Sequence, residues 1–271
     1  MNTQTRGQPE NAEVDHVQKA PLVSIITPTY NSHQYIGETI ASVVAQDYAN
    51  WEHIIVDDAS SDATTSIVEE WAARDPRIKL VKLKSNAGAA VARNTAIDLA
   101  KGRFIAFLDA DDLWLPHKLS TQIAYMLRTG AAFTYASFRL IDGEGAALGE
   151  VRVPASATYH SLLRNNVVGC LTAVYDVQQL GKVMMPLIRK RQDLGLWLRL
   201  TKRVEKAEGV EEILAQYRLH EGSMSHNKLN AAKYTWDLYY KVEQLPLPKA
   251  LYYFAFYAIN GLVKSRRGAR G

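Results

Sequence analysis

As far as Phe133, short apolar runs alternate along the chain with stretches in which apolar residues recur every three or four positions. The runs are too short for helices and rich in β-branched residues, so they read as buried strands. They are Val23-Ser24-Ile25-Ile26-Thr27, broken by Pro28; His53-Ile54-Ile55-Val56; Ile78 to Leu83; and Phe104-Ile105-Ala106-Phe107-Leu108. Lysines interleave the third run, which puts it near a sheet edge. Between the runs, Ser32 can cap a helix with Ile36, Ile40, Val43 and Val44 on one face, and Ile67, Val68 and Trp71 point inward from a second. A third helix spans about Ala89 to Ala100 and stops at Gly102, and Pro116 opens a fourth where its missing N–H costs nothing. This alternation requires right-handed crossovers and predicts an α/β fold, a mostly parallel sheet flanked by helices. Beyond Phe133 the pattern loosens. Ala132 to Phe138 and Val168 to Tyr175 read as strands, Asp142-Gly143 and Gly145 as hairpin turns, and Leu194 to Leu200 as a helix. No linker separates this half, so it packs on the first.

Polar clusters end the strands: Pro28-Thr29-Tyr30, Asp57-Asp58, Asn86-Ala87-Gly88 and Asp109-Ala110-Asp111-Asp112. In a doubly wound sheet, ligands bind outside the carboxyl ends of the strands, so these clusters should surround one crevice. Asp109 and Asp111 alternate along extended chain and can face the same point, where two carboxylates repel unless a cation lies between them. Oxygen ligands suit Mg²⁺ or Mn²⁺ better than zinc. A turn capping the next helix is the plainer alternative, although one Asp would serve for that.

Composition narrows the classes. The chain has 271 residues, 47% of them hydrophobic, and one cysteine, Cys170, which excludes an internal disulfide and is expected to be a small buried residue in a reducing compartment. Residues 1–20 are polar, without the apolar core of a secretory signal, and are expected to be disordered. The net charge of +4 equals the contribution of Lys264, Arg266, Arg267 and Arg270 alone, so the basicity belongs to the tail. No basic face with interleaved aromatics marks a nucleic-acid groove.

The strand-end clusters, together with Ala92-Arg93-Asn94, Arg191-Gln192-Asp193 with Leu196-Trp197, and Tyr217-Arg218-Leu219-His220 with Ser223 and Ser225, resemble the motifs of the inverting family-two glycosyltransferases. The resemblance covers residues 21–228 and implies a GT-A nucleotide-diphospho-sugar transferase fold, with a helical, basic segment at 229–271. Pro28 and Tyr30 would then line the base pocket. Asp58 would accept the imide N–H of the base, uracil by family habit, unless it serves as a cap or turn residue. Asn86 and Gly88 would sit by the nucleotide, and Arg93 would face the diphosphate or form a helix-surface ion pair. Asp109 would meet the ribose or the metal shell, Asp111 would bind Mn²⁺ or Mg²⁺ directly, and His220 would complete that site or be structural. Asp112 would meet the sugar or cap the Pro116 helix. Asp193 would be the catalytic base or an N-cap, beside Gln192, with Trp197 shaping the sugar pocket. Acceptor specificity would lie in residues 133–185. Arg191-Gln192-Asp193 lacks the longer processive-synthase pattern, which implies transfer of a single sugar to a glycan or lipid-linked glycan of a cell-surface polysaccharide pathway.

Ala250 to Val263 is apolar and aromatic but spans about 14 residues, against the roughly 20 that a membrane crossing needs. With the cations after it, the segment suits a membrane interface, the alternative being a helix packed on the protein's own core. The expected location is cytoplasmic, peripheral at the inner face of the membrane in the first case. A catalytically silent nucleotide-sugar or glycan-binding scaffold is the competing class, disfavoured by Asp109, Asp111, Asp193 and His220 together. A nucleotidyltransferase would need a glycine- and arginine-rich loop where Thr27-Pro28-Thr29-Tyr30-Asn31 stands, and a glycoside hydrolase would not need the nucleotide-facing clusters.

Overall fold

A computed structural model describes residues 20–220 and 228–268. The expected disorder of residues 1–19 and the motif serines Ser223 and Ser225 lie outside the described residues. The elements in chain order are β1 (Val23–Thr29), α1 (Ile36–Val44), β2 (Trp51–Asp57), α2 (Thr64–Arg74), β3 (Ile78–Lys82), α3 (Ala89–Leu99), β4 (Phe104–Phe107), β5 (Leu113–Trp114) and α4 (Lys118–Thr129). Then follow β6 (Phe133–Ile141), β7 (Ala147–Val151), β8 (Ser156–Ala157), α5 (Tyr159–Arg164), β9 (Val174–Asp176), α6 (Val177–Leu180), α7 (Gln192–Thr201), β10 (Ala207–Arg218), α8 (Lys228–Asp237) and α9 (Leu247–Gly268).

The sheet runs β3-β2-β1-β4-β9-β6-β10-β5, with β7 added to β6 and β8 to β10. Its first four strands are parallel, joined through α1, α2 and α3 as expected. The second half departs from a mostly parallel sheet: β9 runs antiparallel between β4 and β6, and only β6 and β10 pair in parallel there. The run from Val168 accordingly makes little strand. Residues Cys170–Thr172 form a 3₁₀ turn, with the Thr172 hydroxyl donating to the Gly169 carbonyl, and only Val174–Asp176 joins the sheet.

Successive residues of the central strands point to opposite faces. Ile26, Ile54 and Ile105 join a core shared with α3, α5 and α7, whereas Ile25, Ile55 and Ala106 join one shared with α1 and α4. Burial on both faces explains why these strands read as continuous apolar runs rather than alternations. Pro28 does not break β1. The Ile26 carbonyl still bonds across to the chain leaving β4, but pairing with β4 ends there, so the amide that Pro28 lacks faces a side where no partner waits.

The segment after residue 228 is not a separate unit. Leu238, Tyr239, Ala250 and Tyr253 belong to the same core as α7, and the Tyr239 hydroxyl donates to the Leu163 carbonyl. No described helix is long and apolar enough to cross a membrane.

One titratable group is buried within the parallel half of the sheet. His53 on β2 is fully buried, its Nε2 lies 2.8 Å from the Thr27 hydroxyl, its Nδ1 has no partner, and burial drives its pKa down to about 3. The folded value lies below the unfolded one, so the unfolded chain binds the extra proton. The neutral ring's stabilisation is complete above about pH 6.5 and declines toward pH 3. Stability should fall by about 1.4 kcal/mol per pH unit on acidification below about pH 6.5. Urea titrations from pH 7 to 5 should show this slope in the parent chain and not in His53→Gln.

Candidate active site

The carboxyl ends of the parallel strands open into a cleft of about 1170 Å³ at the point where the winding reverses between β1 and β4. Eleven of the thirteen expected site residues line it: Pro28, Tyr30, Asp58, Asn86, Gly88, Arg93, Asp109, Asp111, Gln192, Asp193 and His220. Asp112 and Trp197 do not.

On the β1–β3 side, the Asp58 carboxylate accepts the amides of Ala87 at 2.7 Å and Gly88 at 2.8 Å, pinning the loop after β3 to the end of β2. Gly88 caps α3 at φ +92°, a left-handed conformation that glycine adopts without strain. Asp57 turns away from the cleft and holds its own loop, accepting from the amide and hydroxyl of Ser60. Tyr30 stands half-exposed on the cleft wall.

The acids after β4 form the floor, and each is tied to a different element. Asp109 receives Arg93 from α3, whose guanidinium is almost wholly buried. Burial alone would lower the arginine's pKa, but Asp109 beside it holds it above its usual value. Asp111 lies with its Oδ2 2.9 Å from Nε2 of His220, at the far end of β10. Burial and then the Asp109 charge raise the Asp111 carboxyl, and His220 pulls it partly back. Asp112 neither reaches the sugar side nor caps α4, which starts at Lys118 with no side-chain cap. It is 1% exposed, and its Oδ1 accepts the Arg218 amide at 2.9 Å. The chain is not extended here as expected: residues 109–112 form a turn closed by the Asp112 amide on the Asp109 carbonyl at 3.2 Å, and from it Asp112 turns inward while Asp109 and Asp111 line the cleft.

One residue without an assigned role from the sequence organises this floor. Arg218, 1% exposed, donates to the carbonyls of Asp111 and Gly143, each at 2.9 Å, and to Glu38 of α1 at 2.6 Å. Its guanidinium lies 4.6 Å from the Tyr35 ring centroid, and that ring lies 5.0 Å from the His220 ring. Arg218 sits inside a noticed motif, but nothing in that motif reveals that its side chain reaches back to the acids.

The opposite wall is the loop ahead of α7. Leu187, Ile188, Arg189, Lys190 and Arg191 all line the cleft, and Arg191 enters α7 at φ +66° as its N-cap. Asp193 therefore stands in the first turn, not at the cap. Pro186 packs so tightly on Gly195 that a methyl at 195 would collide with it, which seats the loop on the helix. Trp197 is a core residue, not a sugar-pocket wall. One helical turn beyond Asp193 carries it beneath the sheet, where it is fully buried, stacked on Phe133 at 5.3 Å and edge-on to Phe107 at 5.5 Å. Of the expected acceptor segment 133–185, Cys170 alone lines the cleft; it is partly exposed, and burial of its thiol, then Asp109, push its pKa well up.

Among the described residues, no three ligating side chains converge on one point, because Asp109 is drawn to Arg93. The chemistry still fits a hard divalent cation: Asp111 and His220 already meet, Asp109 is a neighbour, and its charge adds to burial in raising the Asp111 carboxyl. Three buried polar atoms on cleft residues lack partners, Thr29 Oγ1, Arg93 Nε and Gln192 Oε1, and would be satisfied by a polar ligand.

The sequence model of glycosyl transferase family 2 matches residues 24–174. TuaG of Bacillus subtilis, named for teichuronic acid biosynthesis, is 45% identical over 245 residues, covering 90% of this chain and 97% of that protein. WfgD of Escherichia coli, a UDP-Glc:alpha-D-GlcNAc-diphosphoundecaprenol beta-1,3-glucosyltransferase, is 41% identical over 90% of this chain and 94% of its own. The fold is shared with solved structures of lower identity. S. aureus TarS with UDP-GlcNAc has a TM-score of 0.67 at 21% identity, over 81% of this chain and 66% of that one. The mannosyltransferase PcManGT of Pyrobaculum calidifontis, with GDP-Man and Mn²⁺, has a TM-score of 0.69 at 22% identity, over 89% and 70%.

Arg218→Leu should leave the carbonyls of Asp111 and Gly143 without their buried donor and cost roughly 3–5 kcal/mol in chemical denaturation. Glu38→Gln, at the exposed end of the same network, should cost under about 1 kcal/mol.

Proposed function

Because the chain belongs to glycosyl transferase family 2 and has the GT-A fold, we propose that it transfers one sugar, with inversion, from a UDP-sugar to a glycan or lipid-linked glycan in cell-surface polysaccharide synthesis. The observation that carries this reading is that one cleft holds both the nucleotide-facing clusters and, on its opposite wall, the Asp193 carboxylate.

The base lies against Tyr30 and Pro28. Asp58 uses one lone pair on each oxygen for the amides of Ala87 and Gly88 and keeps others for the imide N–H of the base. Arg93, with its free Nε, and Asp109 bracket the ribose and diphosphate, and the open Gln192 Oε1 accepts a sugar hydroxyl. Asp111 and His220, with Asp109, would hold Mn²⁺ or Mg²⁺, which when bound supplies positive charge to the departing diphosphate. Asp193 takes the proton of the acceptor hydroxyl as that oxygen bonds to the anomeric carbon, and the bond from that carbon to the diphosphate oxygen breaks on the opposite face. The electron pair leaves with the nucleotide diphosphate. Among the described residues Asp193 makes no hydrogen bond that would tie up its oxygens, a condition for a base.

The relatives support the finer points: WfgD is named for a UDP-glucose donor and a lipid-diphosphate acceptor, and PcManGT is described with Mn²⁺.

Calorimetry with UDP and a panel of nucleotide-sugars should give binding with Mn²⁺ that weakens on chelation. Asp193→Asn should retain this binding and lose about 10²–10⁴-fold in transfer rate, whereas Asp111→Asn should lose the Mn²⁺-dependent part of binding. Equal loss of donor binding in both variants would remove Asp193 from the role of base. Metal-dependent binding with no transfer to any acceptor would favour the scaffold.

A further inference from the structure

Helix α9 has apolar residues on two faces, and the protein covers only one. Inward, Ala250 and Tyr253 are buried in the main core, and the Tyr253 hydroxyl lies 2.7 Å from Nδ1 of His160. Outward, Leu247, Leu251, Ala255 and Ile259 follow one another at four-residue spacing and are all exposed, the three large ones at 52%, 53% and 56%. Four-residue spacing keeps them on one side of the helix. The 22 residues of α9 include four cations, Lys249, Lys264, Arg266 and Arg267, and no Asp or Glu.

Helix α9 is also fastened to the cleft wall, through Tyr257 on the side nearer Ala250 and Tyr253. Arg191, on the loop that forms the cleft wall, donates to the Tyr257 hydroxyl of α9 at 3.1 Å. On the same loop Leu187 is 73% exposed, and Arg189 is exposed beside it.

We propose that the outward stripe of α9 and the Leu187–Arg189 tip of the cleft wall form one docking surface for an anionic lipid bilayer, so that the cleft opens onto the membrane surface. Apolar side chains enter the headgroup boundary while the net positive composition of the helix favours an anionic surface, the balance of an interfacial helix. A second copy of the chain is a poorer occupant, since two stripes brought together would oppose cation-bearing helices that contain no acid to pair with. The docking rests on the transferase reading only for what it delivers, an acceptor carried on a lipid.

The test is vesicle co-sedimentation of the full chain, with calorimetry of UDP and Mn²⁺ run in parallel. The parent chain should sediment with vesicles containing phosphatidylglycerol and at least about tenfold less with phosphatidylcholine alone or at high salt. Leu251→Glu with Ile259→Glu should weaken vesicle binding about tenfold or more while leaving UDP binding unchanged. Leu187→Ser should weaken it by a smaller factor. Vesicle binding equal in parent and double variant, absent in both, or indifferent to lipid charge would overturn the proposal. So would a dimer in free solution that the double variant converts to monomer. Loss of UDP binding with vesicle binding intact would overturn the transferase reading instead, and leave the docking surface standing.

Discussion

Three carboxylates within four residues at the end of a buried strand are tolerable only if each finds a partner, and in this protein the partners come from distant parts of the chain. Asp109 takes Arg93 from α3, Asp111 meets His220 beyond β10, and Asp112 accepts the amide of Arg218. Leaving a buried carboxylate wholly uncompensated would cost several kcal/mol, and Oδ2 of Asp112 is buried without a partner even so. Neutralising the acids therefore joins β4, α3 and β10 into one floor, and Arg218 extends the link to α1 through Glu38. The network stops short of full pairing at Asp112 Oδ2, and burial, with the neighbouring acids adding to it, keeps the Asp111 and Asp112 carboxyls raised. A site that is polar, crowded with like charge and incompletely paired is suited to receive a cation and an anionic diphosphate together.

The sheet supplies the position of this floor. Reversal of winding between β1 and β4 leaves a gap at their carboxyl ends, and the chain leaving each strand there carries polar residues into it: Tyr30, Asp58, Asn86 and Asp109. The facing wall is built differently. It is a loop without regular structure, fastened at one end by Pro186 on Gly195 and at the other by the left-handed Arg191 that starts α7. Two tightly packed points with an exposed stretch between them suit a wall that must admit different partners, nucleotide from one side and acceptor from the other. Under the proposed reading, the nucleotide-facing motifs occupy the parallel half and the proposed base comes from the helix opposite.

The C-terminal helices complete the core rather than append to it, because Leu238 and Tyr253 fill space beside α5 and α7. A helix that both closes a core and leaves an apolar stripe in solvent is under two constraints, and folding accounts for only one of them.

The chain's own pattern determined the parallel half and most of the site. Strands buried on both faces must be uninterrupted apolar runs, and a carboxylate placed directly after such a run has nowhere to go but the sheet's edge, so Asp58, Asp109 and Asp111 were legible from position alone. Asp193 and His220 were legible as members of ordered motifs. What tertiary structure decided were the side chains whose direction depends on a partner remote in sequence. Trp197 lies one turn from Asp193 in a motif of the site, yet the packing of α7 under β4 and β6 sends it to the core. Asp112 is indistinguishable from its neighbours until the Arg218 amide meets it, and Arg218 became the hub of the floor only when Asp111, Gly143 and Glu38 were brought around it. Likewise the wall facing the strand ends came from the loop before α7 rather than from residues 133–185, of which Cys170 alone lines the cleft, because which loop faces that gap is set by how the second half folds back over the sheet, a long-range distance that local spacing does not encode.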